Sequence, residues 1–206
     1  MLFFRTARRG IVSRIVFLNV LVFLGWIFAG PREDSFMARH FLVSYEALRE
    51  GRVWTLVTSV FSHASFWHIF LNLFVLQSFG SVMEQVLGAR RFLRFYLGAG
   101  ILASFCHSLV SALLLGAPAL PALGASGAIS GVVLLFALLF PREKILFFGI
   151  LPVPAIFGAL LFVGLDLRGL FQQAAGAQLP IGYGAHLGGS LYAFLYYVFV
   201  ARRRRL

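Results

Sequence analysis

The amino-acid sequence predicts an all-α membrane protein: one bundle of six transmembrane helices, with a long first outer loop that is interfacial or re-entrant. Three observations predict it. Of the 206 residues 60% are hydrophobic and 12% charged, and the mean hydropathy is +0.90, more apolar matter than a soluble domain of this size needs. The charges cluster, and between the clusters lie runs approaching the roughly 20 apolar residues that span a bilayer. Finally, the basic residues gather on one side of the bundle that those runs define.

The runs, taken in order, predict helices at approximately 11–30, 66–86, 92–115, 126–140, 145–165 and 183–201, each ended by charge or by Pro and Gly. Arginines precede the first run as in a signal peptide, but Arg14 and Asn19 interrupt it and no convincing small-residue cleavage site follows, so it reads as an uncleaved helix. Residues 31–65 form the long outer loop. Its FLVSYEAL and VWTLVTSVF segments are apolar but too short to span. The segment APALPALG, 117–124, reads as a re-entrant lead into the fourth helix. The chain reads as a single transmembrane domain over 1–206, with short basic tails at 1–10 and 202–206. With one cysteine, Cys106, no intrachain disulfide forms. Cys106 and His107 read as a small buried thiol and a hydrogen-bonded histidine.

Charge orients the bundle. With the N-terminus in the cytosol, the inner segments hold Arg5, Arg8, Arg9, Arg14, Arg90, Arg91, Arg94, Arg142, Lys144 and Arg202 to Arg205, against only Glu84 and Glu143. The outer segments hold Arg32, Arg39, Arg49, Arg52 and Arg168, balanced by Glu33, Asp34, Glu46, Glu50 and Asp166. The whole formal charge of +11 thus lies inside, as positive-inside topology requires. This reading puts the chain in the cell membrane, multi-pass, with both termini cytosolic and any site among its outer polar residues opening outward. A pI near 11.2 suggests nucleic acid, but basic residues spread over short loops beside membrane spans fit anionic inner-leaflet lipid better. No nucleic-acid partner is expected.

Polar residues inside spans are costly, so each is a functional candidate. His68 and Asn72 open the second span, Ser126 the fourth and His186 the sixth. All three spans run inward, so the four residues share one depth in the outer half. Ser126, Ser130, Val133 and Ala137 recur along one helical face, as do His186, Gly189, Ser190 and Ala193. Both faces are small enough for close helix packing, which would set Ser126 opposite His186. A serine hydroxyl becomes a nucleophile when a base within reach removes its proton. Asn72 and His68 supply donors for an oxyanion, and Gly124 and Gly127 leave room for a carbonyl. Singly, each residue has a plainer reading: serine as packing, histidine as interfacial, asparagine as interhelical glue. Together, four polar residues at one depth beside two small faces favour chemistry. A metal site on His63, His68 and His186 ranks low, since no Cys or carboxylate joins them and the spacing is unfamiliar for zinc. No metal or cofactor is expected.

These residues resemble the rhomboid intramembrane serine proteases over residues 10–201. HASFWHIFLNL, 63–73, is similar to the family's H-x4-H-x3-N element; GASG, 124–127, to its G-x-S-G nucleophile motif; and GAHLGG, 184–189, to its A-H-x-x-G base motif. The resemblance implies a six-helix core in which Ser126 is the nucleophile and His186 the base, a dyad without an aspartate. Asp166 has no role in it. Asn72, His68 and the Ser126 backbone would line the oxyanion hole. His63 would be structural, near the mouth of the site, and Gly189, with Ala193, would let the sixth helix pack on the fourth. Trp54 matches a loop tryptophan, and Glu84 an acidic residue at the inner end of the second span.

Thr55 stands where the family often has arginine, and Leu73 where methionine is frequent. Ser130 stands where many bacterial members carry a tyrosine under the base, so another aromatic is expected to hold His186. The implied activity is cleavage of membrane-protein substrates at an unwound transmembrane helix. The alternatives are an inactive rhomboid-like protein that binds membrane clients, which would be expected to lack Ser126 or His186, and a transporter, which would want internal repeats.

Overall fold

The structure is a computed structural model that describes residues 10–29, 35–147 and 150–201. Arg5, Arg8, Arg9, Arg32, Glu33, Asp34 and Arg202 to Arg205 fall outside the described residues. Among the described residues the fold is an all-α membrane bundle with one small antiparallel pair of strands. Five helical stretches among the described residues are long and apolar enough to cross a membrane: Ile11–Ala29, Phe66–Leu87, Ala89–Leu113, Ala155–Ala174 and Tyr183–Ala201. A sixth apolar helix, Ser126–Leu139, is shorter.

Helix α1 (Ile11–Ala29) starts on Glu84, whose carboxylate oxygens accept from the Ile11 and Val12 N–H groups at 2.8 and 3.0 Å. The second span comprises α5 (Phe66–Val75), a π-helical turn at Leu76–Gly80 and α6 (Ser81–Leu87). Glu84 thus joins its far end to the beginning of the first span, and the acidic side chain caps N–H groups that α1 itself leaves free.

The first loop carries α2 (Phe36–Phe41), α3 (Tyr45–Arg49) and α4 (Thr55–Thr58). Ser35 and Ser44 cap α2 and α3. Its partner is the stretch before the fourth span: Val43 and Ala122 exchange two backbone hydrogen bonds, and the Gly124 N–H donates to the Ser59 carbonyl at 2.9 Å. APALPALG is therefore tied to the first loop by backbone bonds.

Helix α7 (Ala89–Leu113) is the centre, with Phe92, Phe95 and Tyr96 among the largest fully buried side chains. Against it lie α8 (Ser126–Leu139) and α10 (Tyr183–Tyr196). Their contacts are made of glycine. A Cβ on Gly127 would stand 2.5 Å from that of Ala103, one on Gly131 2.8 Å from the Gly189 carbonyl oxygen, and one on Gly188 2.6 Å from the Cys106 Cβ. Backbones approach this closely only where side chains are absent.

Two expectations are corrected. The fifth span is not at 145–165. Instead β1 (Lys144–Phe147) pairs antiparallel with β2 (Leu151–Pro154), and α9 runs over Ala155–Ala174. Pro152 and Pro154 explain this, because proline cannot donate within a helix and displaces the residue before it from helical geometry. Asp166 and Arg168 consequently belong to a span and not to an outer loop. Second, the small face of α8 is rotated. Gly127 and Gly131 meet α10, one residue on from Ser126 and Ser130, a turn of about 100°. Ser126 lies at the edge of the contact.

Candidate active site

Ser126 is the first residue of α8 and His186 lies in the first turn of α10. The Gly127–Gly189 contact, where a Cβ on Gly189 would overlap the Gly127 carbonyl, holds the two helix starts together. As a result, Ser126 Oγ stands 3.0 Å from His186 Nε2. The other ring nitrogen, Nδ1, is 2.9 Å from Asp166 Oδ1 on α9. The side chains of His186 and Asp166 are 20% and 15% exposed.

Gly124 approaches from the loop. Its φ of +125° suits glycine, and a Cβ there would lie 2.9 Å from His68 Nε2 and 3.7 Å from Ser126 Oγ. The His68 ring therefore stands over Gly124, beside the serine hydroxyl. Ser65 caps the helix that carries His68, accepting from the His68 N–H at 3.3 Å. Asn72 is buried one turn on, and its Nδ2 donates to the His68 carbonyl at 3.0 Å, leaving the second amide hydrogen for another acceptor. Among the described residues, no side chain caps α8. Its first N–H groups and the positive end of its dipole face the region around Ser126.

His63 is fully buried, accepts from the Ala125 N–H at 3.5 Å, and sets its ring edge-on to His68 at 4.9 Å. Burial first, and the neighbouring His68 second, push its pKa down from 6.5 to about 3. The ring stays neutral, so Nε2 keeps the lone pair that receives Ala125. Trp54 lies apart from this group, in the outer loop, with its ring stacked on His40 at 5.6 Å. Thr55 is buried, and its hydroxyl donates to the Arg52 carbonyl at 2.6 Å. Ser130 is half-buried. Among the described residues, the group bonded to the far side of the His186 imidazole is the Asp166 carboxylate. Sequence reasoning missed it because Asp166 was counted with an outer loop. The signal was there, since an acid within an apolar helix demands a partner.

The length of α8 sets the depth. Fourteen residues rise about 21 Å, less than the roughly 30 Å hydrocarbon core. With Arg142 and Lys144 following at one end, an α8 embedded in a bilayer would leave Ser126 short of the opposite surface.

The family model for the Rhomboid domain matches residues 50–203. Rhomboid protein 1, mitochondrial, of Saccharomyces cerevisiae is 34% identical over 99% of this chain and 59% of its own length. RHOMBOID-like protein 12, mitochondrial, of Arabidopsis thaliana is 30% identical over 95% and 60% respectively. Presenilin-associated rhomboid-like protein, mitochondrial, of Homo sapiens is 31% identical over 90% and 47%. The chain spans less than two thirds of each of these relatives. Their names overturn the cell-membrane expectation. Positive-inside charge orients helices across a bilayer but does not say which bilayer. Its multi-pass membrane character stands. On a domain match over most of its length and on these identities, the chain belongs to the rhomboid family.

Proposed function

We propose that this chain is an intramembrane serine endopeptidase. Membership of the rhomboid family supports an intramembrane-protease type of function and membrane-protein substrates. The observation that carries the finer reading is the 3.0 Å separation of Ser126 Oγ and His186 Nε2, which is hydrogen-bond reach for a nucleophile and its base.

In the reaction, Ser126 Oγ attacks the scissile carbonyl as its proton passes to His186 Nε2. The carbonyl π pair moves to oxygen. That oxyanion meets the N–H groups at the start of α8, the second Asn72 amide hydrogen and the His68 ring. The proton then leaves Nε2 for the amine nitrogen as the C–N bond breaks. Water repeats the sequence on the acyl-enzyme. The absence of a side chain at Gly124 lets the substrate carbonyl in, and a peptide bond exposed by local helix breaking is the one that can reach this depth.

The test is covalent labelling by a fluorophosphonate, in which an Oγ–P bond forms and fluoride leaves. Purified wild type should label; Ser126→Ala and His186→Ala should not. Equal labelling of wild type and Ser126→Ala would refute the proposal, and a folded wild type that takes no label would favour a client-binding role.

A further inference from the structure

We propose that Asp166 is a positioning residue for His186, making the pair a Ser126–His186–Asp166 relay supplied by three different helices. The inference rests on the protease reading and goes beyond it. Its basis is the chain of contacts from Ser126 Oγ to His186 Nε2 at 3.0 Å and from His186 Nδ1 to Asp166 Oδ1 at 2.9 Å.

A carboxylate only accepts hydrogen bonds, so Nδ1 carries the ring proton and donates it to Asp166. That leaves the Nε2 lone pair facing the serine hydroxyl, the tautomer a general base needs. When Nε2 takes the serine proton, the imidazolium forms beside a fixed negative charge. Asp166 keeps its charge throughout and takes no proton.

The position of Asp166 is built in. Helices α9 and α10 run antiparallel, and two pairs share one register: Asp166 with His186, and one turn away Gly169 with Tyr183. A Cβ on Gly169 would overlap the Tyr183 ring, so glycine there lets α9 come close enough for a short aspartate to reach the imidazole. The neighbours Leu165 and Leu167 are apolar and exposed, as lipid-facing residues are, and an acid on such a helix is costly unless partnered. Arg168, two positions on, points to another face. Ser130 is too small to bear on the ring, and the carboxylate takes the orienting task.

The experiment compares wild type with Asp166→Asn, Asp166→Ala and Asp166→Glu in detergent. Saturation labelling by a fluorophosphonate gives kinact and KI, thermal unfolding gives Tm, and proton NMR of 15N-histidine-labelled protein gives the His186 Nδ1–H resonance. Asp166→Asn and Asp166→Ala should lower kinact by about 10²–10⁴-fold, with KI within about threefold and Tm little changed. Asp166→Glu should recover at least about tenfold over Asp166→Asn, because it restores a carboxylate. A downfield Nδ1–H resonance should be present in wild type and in Ser126→Ala, and lost in Asp166→Asn. An unchanged kinact in Asp166→Asn overturns the proposal. So does a kinact that falls only in step with Tm and KI and is not rescued by glutamate, which would make Asp166 a structural prop. If wild type takes no label, the protease reading fails separately, and absence of the Nδ1–H resonance in that same protein would overturn the positioning role on its own.

Discussion

Replacing Gly131 by alanine puts a methyl group where α8 and α10 touch. That methyl would lie 2.8 Å from the Gly189 carbonyl oxygen and 3.1 Å from the Ala99 Cβ. Non-bonded atoms rest roughly 3.5 Å apart, so the helices must part by about 0.7 Å. The carbonyl belongs to a helix and cannot swing aside, and Ala99 of α7, on the other contact, is fully buried. Overpacking of this kind costs about 1–3 kcal/mol. The same movement draws His186 away from Ser126, five residues before Gly131, and a misplacement near 1 Å is worth on the order of 10²-fold in rate. Gly131→Ala should therefore lower the fluorophosphonate labelling rate by about tenfold or more, with a lower Tm. Gly189→Ala, whose methyl would overlap the Gly127 carbonyl outright, should do worse. Gly164→Ala is the control: it is helical, with nothing within 4 Å of its Cβ, and should raise stability slightly, by up to about 1 kcal/mol. Full labelling and an unshifted Tm in Gly131→Ala would refute the claim that glycine contact sets the Ser126–His186 distance.

Asn72→Ala should cut the labelling rate by about 10²–10³-fold, the usual loss of one oxyanion donor, and an unaffected rate would remove Asn72 from the site. Glu84→Ala should cost about 1 kcal/mol by stripping the cap from α1, read as a lower Tm with labelling at permissive temperature retained. His63 links folding to pH. Its pKa is lowered in the folded protein to about 3, from 6.5 when unfolded, so between those values the unfolded chain binds the extra proton. Stability should then fall with falling pH through that window, by up to about 1.4 kcal/mol per pH unit from this group. A His63→Gln variant should show a flatter acid limb in unfolding experiments, and an identical pH profile would exclude His63 as the cause.

How much was legible in the sequence differs from residue to residue. The ends of the first, second and sixth spans could be read because long apolar runs stop at charge or at Pro and Gly. His68, Asn72, Ser126 and His186 stood out because polar groups are rare inside spans. The fifth span was misplaced because Ile145 to Val153 is apolar enough for a helix by hydropathy, while the prolines that favour strand over helix act locally. The packing face of α8 was misread by one residue because serine and glycine are both small, and only the partner helix decides which of them it touches.

Sequence alone determined that this chain is a membrane bundle and which of its polar residues are candidates for nucleophile and base, since hydropathy and motif spacing are properties of the chain. Tertiary structure decided that Asp166 faces His186. The two lie on separate helices whose antiparallel register is set by the Gly169–Tyr183 contact, and no local pattern in either helix encodes a distance between them.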